Sequence, residues 1–153
     1  MARNINTITV SGNLTRDPEI RFTPSGQSVC TFSVAVSRSW QNRQTQEWEE
    51  QTSFFDVKAW GQLGQNVSDT LTKGSRVVVS GRLEQRSWET DQGERRYAFE
   101  IVADDVAASL LYATAEISKN ERREAGDGGY GGGQSRPAPA PAPASYDPAE
   151  EPF

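Results

Sequence analysis

The sequence contains no histidine and only one cysteine, Cys30. Histidine-dependent activation of a nucleophile and the common Cys/His zinc sites are therefore excluded, and an intrachain disulfide cannot form. We expect a protein without catalytic residues, metal or other cofactor. Long apolar runs are also missing, since the N-terminus lacks the core of a signal peptide and no stretch is long enough to cross a bilayer. These absences predict a cytoplasmic protein with no membrane partner.

An excess of positive charge, which is usual in nucleic-acid-binding domains, is missing too. The 153 residues carry a formal net charge of -5. Residues up to Tyr112 contain 12 Lys and Arg and 14 Asp and Glu, a net charge of -2. Most of the excess negative charge therefore lies after Tyr112. Any binding of DNA must then depend on local placement of basic side chains and on base stacking rather than on an overall field.

Apolar and polar residues alternate in five segments, which predicts five half-buried strands. The segments are Asn6 to Leu14, Thr31 to Ser37, Thr52 to Trp60, Val77 to Leu83 and Tyr97 to Ile101. Leu63, Val67 and Leu71 recur at helical spacing between the third and fourth strands. Turn residues occupy Asp17 to Gly26, and polar residues occupy Gln41 to Gln51. This order predicts a mainly β protein, the five-stranded OB-fold barrel with one short helix.

The composition changes after Tyr112. The segment Leu110 to Asn120 could form one more strand or a short helix, and its periodicity does not distinguish the two. A glycine-rich stretch and a Pro-Ala repeat follow, and both are typical of disordered linkers. We therefore expect an OB-fold domain over residues 1–112 with a possible extra strand to about 120, a disordered linker over 121–146, and an acidic tip over 147–153.

Parity along the strands divides the aromatic residues into two groups. One group shares its face with aliphatic residues and is expected in the core: Phe32, Phe55, Tyr97 and Phe99, with Cys30 as a buried thiol. Phe54 and Trp60 instead share a face with Asp56 and Lys58. Two exposed rings on either side of a lysine suit stacked bases above a phosphate contact, so Phe54, Lys58 and Trp60 are candidate DNA-binding residues.

The tryptophans in the hairpin segments are further candidates. Trp88 lies near Arg82 and Arg86 in polar surroundings, which suits a stacked base beside phosphate contacts. Trp40 continues the apolar parity of its strand, so a twist or a bulge would be needed for it to face DNA. Trp48 stands among Glu47, Glu49 and Glu50, whose charge would repel phosphate. We therefore expect Trp48 to lie outside the primary stacking platform.

Several short motifs occur in a specific order. They are Gly12-Asn13-Leu14, Asp17-Pro18-Glu19, Trp40, Glu50-Gln51-Thr52, Trp60-Gly61 with Leu63, Lys73-Gly74-Ser75, Gly81-Arg82-Leu83, Trp88 and Pro152-Phe153. In this order they resemble the bacterial single-stranded DNA-binding protein family, and Ser109 to Ala115 is similar to its actinobacterial branch. That branch has an extra strand that hooks neighbouring subunits together.

The resemblance implies a homotetramer around which DNA wraps. It implies base stacking on Trp40, Phe54, Trp60 and Trp88, and basic contacts from Arg21, Lys73, Arg86 and Arg96. Two features depart from the family. Position 54 is Phe where many members have Trp, which reduces the stacking area, and the acidic run before Pro152 is short.

The implied function is sequence-independent binding and protection of single-stranded DNA in replication, recombination and repair, in the cytoplasm at the nucleoid. Partner enzymes would be recruited by the tip residues Asp147, Glu150, Glu151, Pro152 and Phe153. Two alternatives are an RNA-binding OB protein of the cold-shock type and a hydrolase acting on nucleic acid. The first is typically shorter and does not need an acidic Pro-Phe tail. The second lacks histidine and a recognisable metal cluster.

Overall fold

Six strands and one helix make up the part of the chain that the computed structural model describes, residues 2–121. The elements are β1 (Ile8–Leu14), β2 (Glu19–Phe22), β3 (Ser28–Gln41), β4 (Trp48–Trp60), α1 (Gly61–Thr70), β5 (Arg76–Glu89) and β6 (Arg95–Ala108). Residues up to Ile117 form one compact unit, and residues 118–121 fall in a second one. No helix among residues 2–121 is long and apolar enough to span a bilayer.

Five of the strands close into a barrel. The strand order is β1-β5-β6-β4-β3-β2, and β1 also pairs with β3 at Asn13↔Ala35 and Leu14↔Val34. This second pairing closes the barrel between β1 and β3 and leaves β2 outside it, on the edge of β3 that faces away from β4. The helix lies between β4 and β5 in the chain. The prediction of a five-stranded OB-fold barrel with one helix is confirmed.

The barrel interior is filled by β-branched and aromatic side chains, which favour strands and pack closely. Its most deeply buried side chains are Phe32, Val34, Val57, Val77, Val79 and Ile101. Val67 and Leu71 of the helical segment join this cluster, and Phe55 packs against it. Cys30 is also fully buried, as predicted, and desolvation raises the pKa of its thiol.

Two features of the strands differ from the prediction. The stretch expected to be turns contains β2, whose Arg21 pairs with Val29 of β3. The polar segment expected to separate two strands, Gln41 to Gln51, is strand at both of its ends, because β3 and β4 remain paired as far as Gln41↔Trp48 and residues 42–47 alone connect them. Backbone hydrogen bonds hold such a hairpin together without apolar side chains. The Ser37 and Thr52 hydroxyls add a cross-strand contact of 2.9 Å.

The expectation that Tyr97 and Phe99 are core residues is wrong, since they are 56% and 60% exposed. Their backbone pairs with Ser87 and Gln85 of β5, whereas the pairing of β6 with β4 is confined to residues 100–102. Both rings therefore lie on the part of the β5–β6 hairpin that extends past the barrel. The alternation along β6 correctly predicts that both rings lie on the side of Ile101, but no other described element covers that side at these positions.

The segment after β6 forms neither a strand nor a helix over residues 109–121. That it adds a strand to a neighbouring subunit stays a prediction. The rest of the predicted linker and the tip residues Asp147, Glu150, Glu151, Pro152 and Phe153 lie outside the described residues.

Candidate nucleic-acid interface

The two faces of β4 differ in burial. Val57 and Ala59 are completely buried and mark the side that faces the barrel interior. Because successive side chains of a strand point to opposite faces, Phe54, Lys58 and Trp60 point outward. Phe54 and Trp60 are 67% and 42% exposed. The prediction that these two rings are surface residues is confirmed.

The neighbouring strands continue this outward side. Asp56 of β4 pairs with Glu100 of β6, and Glu100 in turn pairs with Glu84 of β5. The same register places Trp88 opposite Arg96, so both share the side of Glu84 and Glu100. We call this surface the outer face. It comprises Phe54, Asp56, Lys58 and Trp60 of β4, Arg96 and Glu100 of β6, and Arg82, Glu84, Arg86 and Trp88 of β5.

Trp88 is 43% exposed and lies beside a basic side chain. The guanidinium carbon of Arg86 is 5.1 Å from the centroid of the Trp88 ring, within the range of a cation–π contact. The predicted stacking residues Phe54, Trp60 and Trp88 are thus brought onto one face of a continuous sheet, together with the predicted basic residues Lys58, Arg82, Arg86 and Arg96.

Most of these basic side chains are paired with carboxylates. Lys58 Nζ lies 2.6 Å from Glu100 Oε1, and these side chains are only 29% and 15% exposed. Arg82 contacts Glu84 at 2.8 Å and Asp104 at 3.8 Å, and Arg96 contacts Glu94 at 3.6 Å. These three arginine–carboxylate pairs are exposed and weak, so a phosphate can replace the carboxylate. In the half-buried Lys58–Glu100 pair, the Glu100 carboxylate competes more strongly with a phosphate for Lys58.

Two basic residues implied by the family resemblance lie away from these strands. Arg21 pairs with Val29, which pairs with Trp60, so Arg21 continues the outward side two strands from Trp60. Its guanidinium contacts Glu19 at 3.3 Å. Lys73 lies in the turn between α1 and β5, where its backbone N–H donates to Asp17 Oδ1 at 2.7 Å. The structure therefore does not bring Lys73 onto the outer face.

Trp40 lies on the opposite side of the sheet. The pairing of β3 with β4 runs without a register shift from Val29↔Trp60 to Gln41↔Trp48, so no bulge changes its parity. Trp40 pairs with Glu49 and shares the side of Phe55 and Val57. It is half-buried, with the guanidinium carbon of Arg38 at 5.9 Å from its ring centroid. The structure thus separates Trp40 from the other three predicted stacking residues.

Trp48, in contrast, has the parity of Phe54 and Trp60 and is 73% exposed. Sequence reasoning placed it outside the platform because Glu47, Glu49 and Glu50 are its neighbours in sequence. The sequence did contain a signal for Trp48: aromatic residues recur every six positions at 48, 54 and 60, and this spacing places them on the same side of one strand.

Comparisons with known proteins identify relatives of this chain. The model of the single-strand binding protein family matches residues 5–109. A protein of Mycobacterium tuberculosis named single-stranded DNA-binding protein is 50% identical over 142 residues, 92% of this chain and 84% of its own. One of the same name from Paenarthrobacter aurescens is 46% identical over 128 residues, 83% of this chain and 75% of its own. A solved structure described as Plasmodium falciparum SSB complex with ssDNA aligns with a TM-score of 0.66 at 27% identity, covering 71% of this chain and 98% of that one.

Proposed function

The chain belongs to the single-strand binding protein family, and we propose that it binds and protects single-stranded DNA without sequence preference. The observation that carries this proposal is the set of exposed rings on the outer face, Phe54, Trp60 and Trp88. Every base has a π-face, so aromatic platforms accept any sequence. The chain acts by binding rather than by catalysis. It is located at the nucleoid and protects the single strands that replication, recombination and repair expose.

Stacking fits the charge of this chain better than attraction by an overall field does. Each stacked base contributes about 1 to 3 kcal/mol, so a few platforms suffice without a basic surface. The outer face carries Asp56, Glu84 and Glu100 among its basic residues, which limits the positive potential there. Arg86 and the exposed arginine pairs then supply individual phosphate contacts.

A titration of the four tryptophans tests the proposal. Their fluorescence should be quenched by oligo(dT), because a base stacked on an indole quenches its emission. Duplex DNA should quench far less, since its bases are not accessible for stacking. Absence of quenching by oligo(dT), or a preference for duplex, would overturn the proposal. A preference for oligo(U) over oligo(dT) would favour RNA as the ligand.

Self-association into a homotetramer is part of the proposal. Tyr97 and Phe99 are exposed on the side of the β5–β6 hairpin opposite to Trp88. The edge of β1 is also open from Ile8 to Gly12, because its pairing with β3 is confined to Asn13 and Leu14. Contacts between copies at these places would leave the outer face free. Light scattering after size exclusion should give four times the 16.9 kDa chain mass, and a monomer mass would contradict this part.

Recruitment of partner enzymes is assigned to the tip Asp147, Glu150, Glu151, Pro152 and Phe153, on its sequence alone. An aromatic ring beside carboxylates suits an apolar pocket with a basic rim. Deletion of Phe153 retains every acidic side chain. Calorimetry with a purified replication or repair enzyme of the same organism should then show a large loss of affinity, while DNA binding is unchanged. Equal affinity with and without Phe153 would show that only the acidic composition of the tip matters.

A further inference from the structure

Trp48 is the first residue of β4, and its indole has no structural role in the described chain. Its side chain is 73% exposed, and it makes no ring contact or side-chain hydrogen bond among residues 2–121. An exposed indole without a hydrogen-bond or ring partner leaves its π-face accessible to a base. We propose that Trp48 is a further base-stacking residue for single-stranded DNA. The proposal rests on the DNA-binding function proposed above.

The position of Trp48 extends the outer face along the β3–β4 hairpin. Phe54 lies six residues from both Trp48 and Trp60 on the same side of one strand. Six residues of strand span about 20 Å, so the three rings are evenly spaced along β4. A strand of DNA that stacks on Trp60 and then on Phe54 is directed towards Trp48.

The acidic residues near Trp48 in sequence do not surround it in space. Glu49 points to the other side of the sheet, where its Oε1 accepts a hydrogen bond of 2.6 Å from Asn42 Nδ2. Glu47 precedes the strand, in the turn. Glu50 alone shares the side of Trp48 within β4 at this end. Glu50 lies between Trp48 and Phe54 on this side, as Asp56 lies between Phe54 and Trp60. One carboxylate between two rings is therefore already present on the outer face.

A chain with Trp48 as its only tryptophan tests for contact directly. The variant W40F/W60F/W88F keeps an aromatic ring at each of the other three tryptophan positions. Anisotropy of a dye-labelled oligo(dT) reports binding, and Trp48 emission reports contact. We expect quenching of Trp48 that saturates together with the anisotropy. The matched control, W48F/W60F/W88F, retains only Trp40 on the opposite face and should be quenched less.

The variants W48A and W48F of the full chain measure the contribution to affinity. Loss of one stacked base corresponds to an affinity about 5- to 150-fold weaker for W48A. W48F should keep most of the affinity. The salt dependence of binding should not change, because the indole carries no charge.

The outcomes separate the two proposals. If wild-type protein does not bind oligo(dT), the proposed function fails. If it binds while Trp48 emission stays constant and W48A has wild-type affinity, the function stands and the role of Trp48 is refuted. If W48A instead lowers the mass measured by light scattering, Trp48 is a contact between copies of the chain, which also overturns the proposal.

Discussion

Arg86 and Trp88 form a unit on the outer face, with the guanidinium carbon 5.1 Å from the ring centroid. The contact places a positive charge beside an exposed stacking surface. Among residues 2–121, no carboxylate lies within 4.0 Å of Arg86, whereas Arg82 and Arg96 both have such a partner. Arg86 is therefore available to a phosphate without the loss of an ion pair.

The first prediction is that Arg86→Ala and Trp88→Ala weaken DNA binding in different ways. Removal of Arg86 removes a phosphate contact, so the slope of log affinity against log salt should become less steep by about 0.7. Removal of Trp88 should weaken binding by about 1 to 3 kcal/mol and leave the slope unchanged. Anisotropy titrations with oligo(dT) at several salt concentrations measure both quantities. An unchanged slope in Arg86→Ala would show that Arg86 orients the ring and does not contact phosphate.

The second prediction concerns the two sides of the sheet. Trp60→Ala should weaken binding of oligo(dT) by about 1 to 3 kcal/mol. Trp40→Ala should have a smaller effect, because Trp40 faces away from Phe54 and Trp60 and is half-buried. Circular dichroism must show that both variants are folded. Equal losses of affinity would mean that DNA contacts both sides of the β3–β4 hairpin.

Parity was sufficient to find much of this surface from the sequence. The alternation of Phe55 and Val57 with Phe54 and Lys58 gives the outer face of β4 without any knowledge of the partner strands. The position of the helix between the third and fourth predicted strands gives the barrel topology. These signals are local, since each depends on residues within one strand or one helix.

The rest depends on how far the elements extend and on which residues meet across the barrel. Tyr97 and Phe99 have core parity, but their part of the hairpin has no covering layer. Trp48 was set aside because of its acidic neighbours in sequence, and a polar hairpin that is held by backbone pairing leaves no hydrophobic alternation to show which of them share its side. The Lys58–Glu100 ion pair joins residues 42 apart in sequence, and no local pattern indicates it.

The third prediction is that Gly64→Ala destabilises the fold although alanine favours helices. An added Cβ would lie 2.4 Å from the Ala59 carbonyl oxygen and 3.1 Å from Cys30 Cβ. Overpacking of this kind costs about 1 to 3 kcal/mol, which exceeds the gain of about 1 kcal/mol in helix propensity. Denaturant unfolding should show a lower free energy of unfolding. Asp69→Ala, at an exposed position of the same helix, is the control and should not be destabilising.

The fourth prediction concerns the Cys30 thiol, whose pKa is raised by burial. Because the thiolate is the reactive form, iodoacetamide should modify Cys30 slowly in the native protein and quickly after unfolding. A raised folded pKa contributes stability below the unfolded pKa, about 8.5, which is lost as pH rises through the folded value. The free energy of unfolding of wild type, relative to Cys30→Ala, should therefore decrease from pH 7 to pH 10. A constant difference would show that the thiol pKa is the same in both states.

The last prediction is that Glu100 restrains DNA binding by holding Lys58. The ammonium of Lys58 is 2.6 Å from Glu100 Oε1, between Phe54 and Trp60 on the outer face, where a phosphate of stacked DNA would lie. Asp56 and Glu84 flank Glu100 on the neighbouring strands, so the negative potentials of the three carboxylates add at this place. A phosphate that approaches Lys58 must compete with this half-buried carboxylate.

In Glu100→Gln, the amide keeps the shape and a hydrogen-bond acceptor but removes the negative charge. Lys58 becomes available to phosphate, so affinity for oligo(dT) should rise at low salt and the salt slope should become steeper by about 0.7. The free energy of unfolding should fall by about 1 to 2 kcal/mol, because a charge-assisted hydrogen bond is weakened. Glu84→Gln is the matched control, since the Arg82–Glu84 pair is exposed and a phosphate can displace its carboxylate in the wild type. Weaker binding by Glu100→Gln, or an unchanged slope, would show that Lys58 serves the fold and not the phosphate.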